Sequence, residues 1–339
     1  MNSVLFPESL TELLRAHGRA HAPHYPPSNH SDHGPMAYLA MHGLGFGSDD
    51  IERFAARYRR RLAPLPSADV EVSVANWREQ FGRIEAYPAL LHFFDREVVA
   101  HGARATVARY LPHLISGWAR HAFHPLIRLG YGIEFGAPSE VVAGLAYLAC
   151  SGDDPMLAHA AERAPTMAGG CAFLEDLQVW RNGSLSPGAF GANFQRIVEA
   201  VPLKPAGNAG EWGTLGASLS RACLDVFHAT HDFFALHLVT GSHAFRVCAP
   251  WAGPNLNAIF SVGIGAAYLA IGAPPFRSLG RAEADLPMTQ LAATTDEHDL
   301  KIAYTCSAQA QAYADATYVW VAHAYLTSRS QAAKLAADA

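Results

Sequence analysis

The sequence predicts an all-α protein, an irregular multi-helix single domain over 1–339 with a peripheral amino-terminal segment at 1–27. Three observations predict it. Apolar residues recur at three- and four-residue spacing along most of the chain, while alternating strand patterns are few and short. Pro and Gly clusters punctuate it at "HAPHYPPS", "LAPLPSAD", "NGSLSPGAFG", "LKPAGNAG" and "GAPPFRSLGRAEADLP", none of them a long polar linker. Half of the 339 residues are apolar and 16% are charged, below the usual share of about a quarter, so the interior must be extensive.

In chain order, "SDDIERFAARYRRRL" places Ile51, Phe54, Ala55, Tyr58 and Leu62 at helical spacing behind a Ser48/Asp49 cap. The basic run that closes it, Arg57 to Leu62, suits the negative end of a helix dipole. The segments near 77–87, 96–110, 189–200, 214–240 and 298–327 also read as helices, as does "SEVVAGLAYLAC" after Pro138. The uncharged stretch from Val247 to Phe276 is broken by Pro250, Pro254, Asn255 and Asn257. Its unbroken part, "AIFSVGIGAAYLAI", is too short for a bilayer span and reads as a core helix.

Several functional classes are disfavoured. A formal charge of -5 without clustered Lys/Arg argues against nucleic acid. The stretch "MNSVLFPESLTELLRAHGRAH" lacks the pattern of a secretory signal, and the five cysteines, far apart and without a CxxC pair, fit a reducing cytoplasm. No membrane association is expected. "GLGFGS" and "GIGAAY" lack the strand–turn–helix context of a dinucleotide loop.

The chemistry is concentrated in histidine. There are eighteen, and imidazole is the commonest protein ligand for transition metals. His17, His21 and His24 lie in a polar amino-terminal segment, and His92, His101, His113 and His159 are isolated, so all of these read as ordinary. Four stretches stand apart. In "SNHSDHGPMAYLAMH", His30 and His33 are three apart, as paired ligands on one helix face would be; a turn capped by Asn29 and Asp32 is the alternative. In "RHAFHPLIRLGYGIEF", Pro125 at a helix start puts His124 at the cap with Arg128, Tyr131 and Phe135 on the following turns. That stripe reads as a pocket wall, or else Arg128 is paired with Glu134 or another acid. In "HATHDFFALHLVTGSHAF", His237 lies among apolar residues, Gly241 is expected to break the helix, and His243 follows. In "DEHDLKIAY", His298 and Lys301 are again three apart behind Asp296, Glu297 and Asp299.

Lys301 is the anomaly. From Leu300 to Ser328 only Lys301 and Asp315 are charged, so the helix reads as interior. Burial disfavours an ammonium ion, and the neutral amine so favoured can add carbon dioxide to become an anionic carbamate ligand. The alternative is a lysine that snorkels or pairs with Asp315 or an acid of the cap. A buried metal site between helices is thus part of the expectation.

Taken in order, "NHSDH", "FHPLIRLGYGIEF", "LHLVTGSHAFR" and "DEHDLKIAY" resemble the questin-oxidase-like family, oxygen-using enzymes that open anthraquinone-type rings. The resemblance implies an α-helical fold and oxidative cleavage of an aromatic or quinone substrate with a Baeyer–Villiger-like outcome. It implies O2 and an aromatic, polyketide-like small molecule as partners, an association with NADPH, and non-haem iron(II). Carried onto this chain, the ligands are His30 or His33, His124, His237, His298 and a carbamate on Lys301, with the part of His243 open. Arg128 stands where some members are expected to have histidine; with Tyr131 it would orient a phenolate or carbonyl. Two other readings compete: an HD-type metal phosphohydrolase using His231 and Asp232, and a non-enzymatic helical binder of an apolar aromatic ligand.

Overall fold

In the computed structural model residues 6–26, 30–181, 190–207 and 212–337 are described, the side chains of 212 and 332–337 excepted. They form sixteen α-helices with short 3-10 turns, and the only sheet among them is a two-residue ribbon pairing β1 (His24–Tyr25) antiparallel with β2 (His30–Ser31). The all-α expectation holds. Two compact units divide the chain. The first comprises residues 1–159 and 244–259, and the second residues 160–243 and 260–339.

The first unit contains α1 (Glu8–Ala20), α2 (Gly34–Gly43), α3 (Ser48–Tyr58), α4 (Tyr87–His101), α5 (Ala103–Leu114), α6 (His124–Glu134) and α7 (Pro138–Ser151). Helix α7 is the centre of this unit. From Glu140 to Ser151 every residue is buried, and α1, α4, α5 and α6 pack around it. Glycines bring α6 and α7 close. A Cβ on Gly144 would stand 2.5 Å from the Leu129 Cα, and one on Gly132 2.6 Å from the Val141 nitrogen. The two helices therefore approach backbone to backbone, which fixes the faces they present.

Helix α8 (Pro155–Ala161) precedes α9 (Gly170–Leu177), α10 (Phe190–Ala200), α11 (Trp212–Thr230), α12 (Phe233–Cys248), α13 (Leu256–Ala270), α14 (Met288–Ala293), α15 (Glu297–Tyr313) and α16 (Thr317–Ala337), which lie in the second unit except for the end of α12 and the start of α13, within 244–259. Helix α11 supplies a fully buried face from Leu219, Ala222, Cys223, Val226 and Phe227. It packs on α9 and α16, and α15 packs on α16. Arg221 ties the unit polarly: Nε donates to the Asp225 carboxylate at 3.2 Å, Nη2 to the Leu279 carbonyl at 2.7 Å, and Nη1 to Asp315.

Several boundaries differ from the sequence expectation. The segment 96–110 is cut by Gly102, at φ +81, into α4 and α5, and 77–87 forms 3-10 turns before α4. Positive φ at His231 and at Ala314 divides 214–240 and 298–327 into helix pairs. Gly241, by contrast, does not end a helix. Leu236, Leu238, Val239, Thr240, Ser242 and His243 are all buried, and the packing of that turn outweighs the glycine cost of about 1 kcal/mol. Among the described residues no helix is long and apolar enough to cross a membrane.

The close approach of α6 and α7 predicts a large cost for a single methyl. Gly144→Ala should lower the free energy of unfolding by about 3 kcal/mol, since the clash is with backbone that cannot rotate away. Denaturant titration checks this, Gly136→Ala, with open space but φ +61, serving as the strain-only comparison.

Candidate metal centre

In the second unit, His237 on α12 and His298 on α15 place their rings 5.5 Å apart, inclined at 66°. Each Nδ1 is committed. His237 Nδ1 lies 2.7 Å from the Phe233 carbonyl and His298 Nδ1 2.9 Å from Asp296 Oδ1. Both partners are pure acceptors, so each Nδ1 must be the protonated nitrogen and each Nε2 of the neutral ring keeps a lone pair. That is the arrangement in which histidine ligates a metal, its other nitrogen held by a carbonyl or carboxylate. Burial pushes both imidazoles below their ordinary pKa, and the Lys301 charge adds to this, which favours the neutral ring in each.

Lys301 follows His298 by one turn of α15, as the spacing required. It is fully buried, its Nζ has no hydrogen-bond partner among the described residues, and burial lowers its pKa to about 8 against the opposing pull of Glu297 and Asp296. It neither snorkels nor pairs with Asp315, which Arg221 holds. Two of the three acids of the cap, Asp296 and Asp299, are also engaged elsewhere. Asp296 Oδ1 caps α15 by accepting the His298 N–H at 2.9 Å, while Oδ2 accepts Arg329 Nη2 at 2.8 Å. Asp299 takes the Thr294 hydroxyl at 2.8 Å and lies 3.3 Å from Arg329 Nη1. Burial opposes ionisation of Asp296, yet the His298 hydrogen bonds and the Arg329 charge hold its carboxyl below the usual range. Two lone-pair nitrogens beside an unsolvated amine can take a transition metal.

The first unit holds the other predicted residues. His33 precedes α2 and is buried, with its ring stacked on that of His124 at 4.4 Å and 19°. His124 opens α6 with Pro125 behind it, and its Nδ1 is bonded to the His121 carbonyl, so Nε2 again carries the lone pair. The three residues before it, His121, Ala122 and Phe123, all have left-handed backbone, at φ 50, 52 and 68. Each costs roughly 1 kcal/mol or more, and the fully buried Phe123, packed against Trp118 at 5.1 Å, holds the turn in place. His30 is exposed in β2. Because the helix begins only at Gly34, the argument from helical spacing does not apply to His30 and His33.

Arg128 is buried and its Nε donates to Glu140 of α7 at 2.7 Å; Nη1 lies 3.4 Å from the Tyr87 hydroxyl. Its acid is therefore Glu140, while Glu134 faces Arg246 at 3.6 Å. Nη2 has no hydrogen-bond partner. Tyr131 is fully buried and stacked on Phe135 at 6.1 Å. His243 faces Tyr304 edge-on at 6.1 Å. Asp232 caps α12 by accepting the N–H groups of Phe234 and Ala235 at 2.8 and 3.0 Å, so the His231–Asp232 pair is a turn and cap.

The questin oxidase-like family model matches residues 29–199, half of the chain. The chain belongs to this family. Among curated proteins it is similar to the questin oxidase of Aspergillus fumigatus, 32% identical over 134 residues, which is 36% of this chain and 29% of that protein. The Aspergillus terreus questin oxidase is 30% identical over 161 residues, 42% of this chain and 34% of the relative. A Baeyer–Villiger oxidase of Pestalotiopsis fici is 30% identical over 130 residues, 35% and 29%. The matched stretches thus span about a third of the length of these relatives. The questin oxidase-like match contains His30, His33, His124, Arg128 and Tyr131; His237, His298 and Lys301 lie beyond it.

Two buried networks in this questin oxidase-like chain involve histidines of a segment that reads as ordinary polar sequence. His17 is fully buried, with Nε2 2.7 Å from Asp32 Oδ2 and Nδ1 3.2 Å from the Tyr38 hydroxyl. His24 Nε2 lies 2.5 Å from the Tyr147 hydroxyl, which is 2.8 Å from Ser31 Oγ. The first was detectable: Leu10, Leu14 and His17 share one helical stripe. The second was not, because the contact spans 123 positions.

The pKa of Lys301 makes a signed prediction. Its folded value, about 8, is below the ordinary 10.5, so the unfolded chain binds this proton more tightly, and stability rises with pH across that window. Below pH 8 the penalty is fully present. In chelator-treated protein, Lys301→Met should therefore be more stable than the parent at pH 7 by up to about 3 kcal/mol, the gap closing towards pH 10.5. Urea unfolding at several pH values measures it.

Proposed function

We propose that this chain is an oxidoreductase that uses O2 to cleave oxidatively a ring of an aromatic or quinone ketone, with a Baeyer–Villiger-like outcome. The names of its relatives support the reaction class. The observation that carries the reading in this molecule is the cluster of His237, His298 and the unpartnered, fully buried Lys301. Its donor set suits a non-haem iron(II) ion: two neutral imidazoles with Nδ1 held, and an amine that addition of CO2, with loss of one proton, turns into a carbamate oxygen donor. Bound there, iron(II) would supply the activation of dioxygen. Insertion of one oxygen atom leaves the second to be reduced to water by two electrons and two protons, of which a reduced nicotinamide such as NADPH would give a hydride and the solvent the second proton.

The chain's own residues have definite tasks in this reading. The Phe233 carbonyl and Asp296 fix the tautomers of His237 and His298. Arg329 pairs with Asp296 and Asp299, which helps to hold the Asp296 carboxylate that orients His298. In the first unit, Glu140 holds Arg128 rigid, and its Nη2 has no hydrogen-bond partner among the described residues. A phosphohydrolase gains no support, since the Asp232 carboxylate caps a helix.

The test is metal content and oxygen uptake. Protein purified anaerobically should carry stoichiometric iron and consume O2 with NADPH and a dihydroxyanthraquinone. Lys301→Ala should lose iron and slow turnover about a hundredfold or more. A Lys301→Ala protein that keeps its iron and full activity would overturn the role of the lysine, and a parent without iron, zinc or manganese would favour a binding protein.

A further inference from the structure

Phe233 is the first residue of α12, held in place by the Asp232 cap that accepts from the next two backbone N–H groups. The residue is 51% exposed, and among the described residues no other phenylalanine is as open to solvent. This exposure is at an unusual place. The ring centre is 4.8 Å from His237 and 4.8 Å from His298, inclined at 55° and 61°. Its third ring neighbour, Phe234, meets it edge-on at 84°. Among the described residues no side chain stacks parallel on it, although Phe234 itself is stacked at 4.7 Å and 13° on the buried Phe190. A large apolar ring left half in water beside two neutral imidazoles, with no stacked partner, offers surface that a ligand can cover.

We propose that Phe233 determines specificity at the His237–His298–Lys301 site, its open ring stacking on a planar polycyclic aromatic ligand. An aromatic plane suits it better than an alicyclic one, since offset stacking adds to the area term only when both partners are flat π-systems. The side chain and the backbone of Phe233 do different things. Its carbonyl fixes the tautomer of His237 whatever the side chain is, so truncating the ring removes the stacking face and leaves the ligand-orienting hydrogen bond. The inference rests on the proposed reading of this site.

The experiment uses the full chain as purified and titrates 1,8-dihydroxyanthraquinone and, separately, cyclohexanone, with calorimetry as readout. Phe233→Ala should raise the Kd for the anthraquinone about tenfold, Phe233→Trp should hold it within about twofold of the parent, and cyclohexanone binding should not change. Metal content and thermal midpoint should match the parent in both variants. Anthraquinone binding by Phe233→Ala as tight as by the parent overturns the proposal. So does equal weakening in the alanine and tryptophan variants, or equal weakening towards both ligands. Titrations repeated after chelator treatment keep the two ideas apart: if the parent proves metal-free, the functional reading fails while the ring's part in aromatic binding is still measured.

Discussion

Removing water from Lys301 is the constraint on which the second unit's polar arrangement depends. A fully buried ammonium ion without a hydrogen-bond partner would be strongly disfavoured, and the amine answers by giving up its proton more readily. The acids nearest in sequence could have relieved it. They do so only in part: Glu297 and Asp296 pull its pKa upward without offsetting the burial, while Asp296 is divided between the helix cap, His298 and Arg329, and Asp299 between Thr294 and Arg329.

The first unit solves a different problem by geometry. Close backbone contact at Gly132 and Gly144 locks α6 to α7 and brings Glu140 to Arg128, an ion pair almost wholly out of water. Such a pair contributes little net stability, because desolvation offsets attraction, but it holds a guanidinium in one orientation. Strain is concentrated next to it. Three left-handed residues end at His124, and packing of Phe123 around Trp118 sustains them. Where backbone strain sits directly before a histidine whose Nδ1 is also fixed, both features serve the placement of one ring.

Membership of the questin oxidase-like family rests on residues 29–199, and the cluster around Lys301 lies outside that stretch. The family match and the donor atoms of His237 and His298 thus lie on different stretches of the chain.

Much of this was legible in the sequence, for physical reasons. Helical periodicity and low charge determined an all-α chain, since burying a polar backbone in a large apolar interior requires it to satisfy its own hydrogen bonds. The near absence of charge after Leu300 marked Lys301 as interior, and the Asp296 cap and the His298–Lys301 spacing followed from local rules. Helix ends at His231 and Ala314 were hidden, because nothing in a non-glycine side chain announces a left-handed backbone. Partner choice was decided only by the tertiary structure. Arg128 takes Glu140 rather than Glu134, Asp315 takes Arg221 from 94 positions away, and His24 meets Tyr147 across 123. Pattern along a chain is set by the residues themselves, whereas a pairing between distant helices depends on which faces the whole packing brings together.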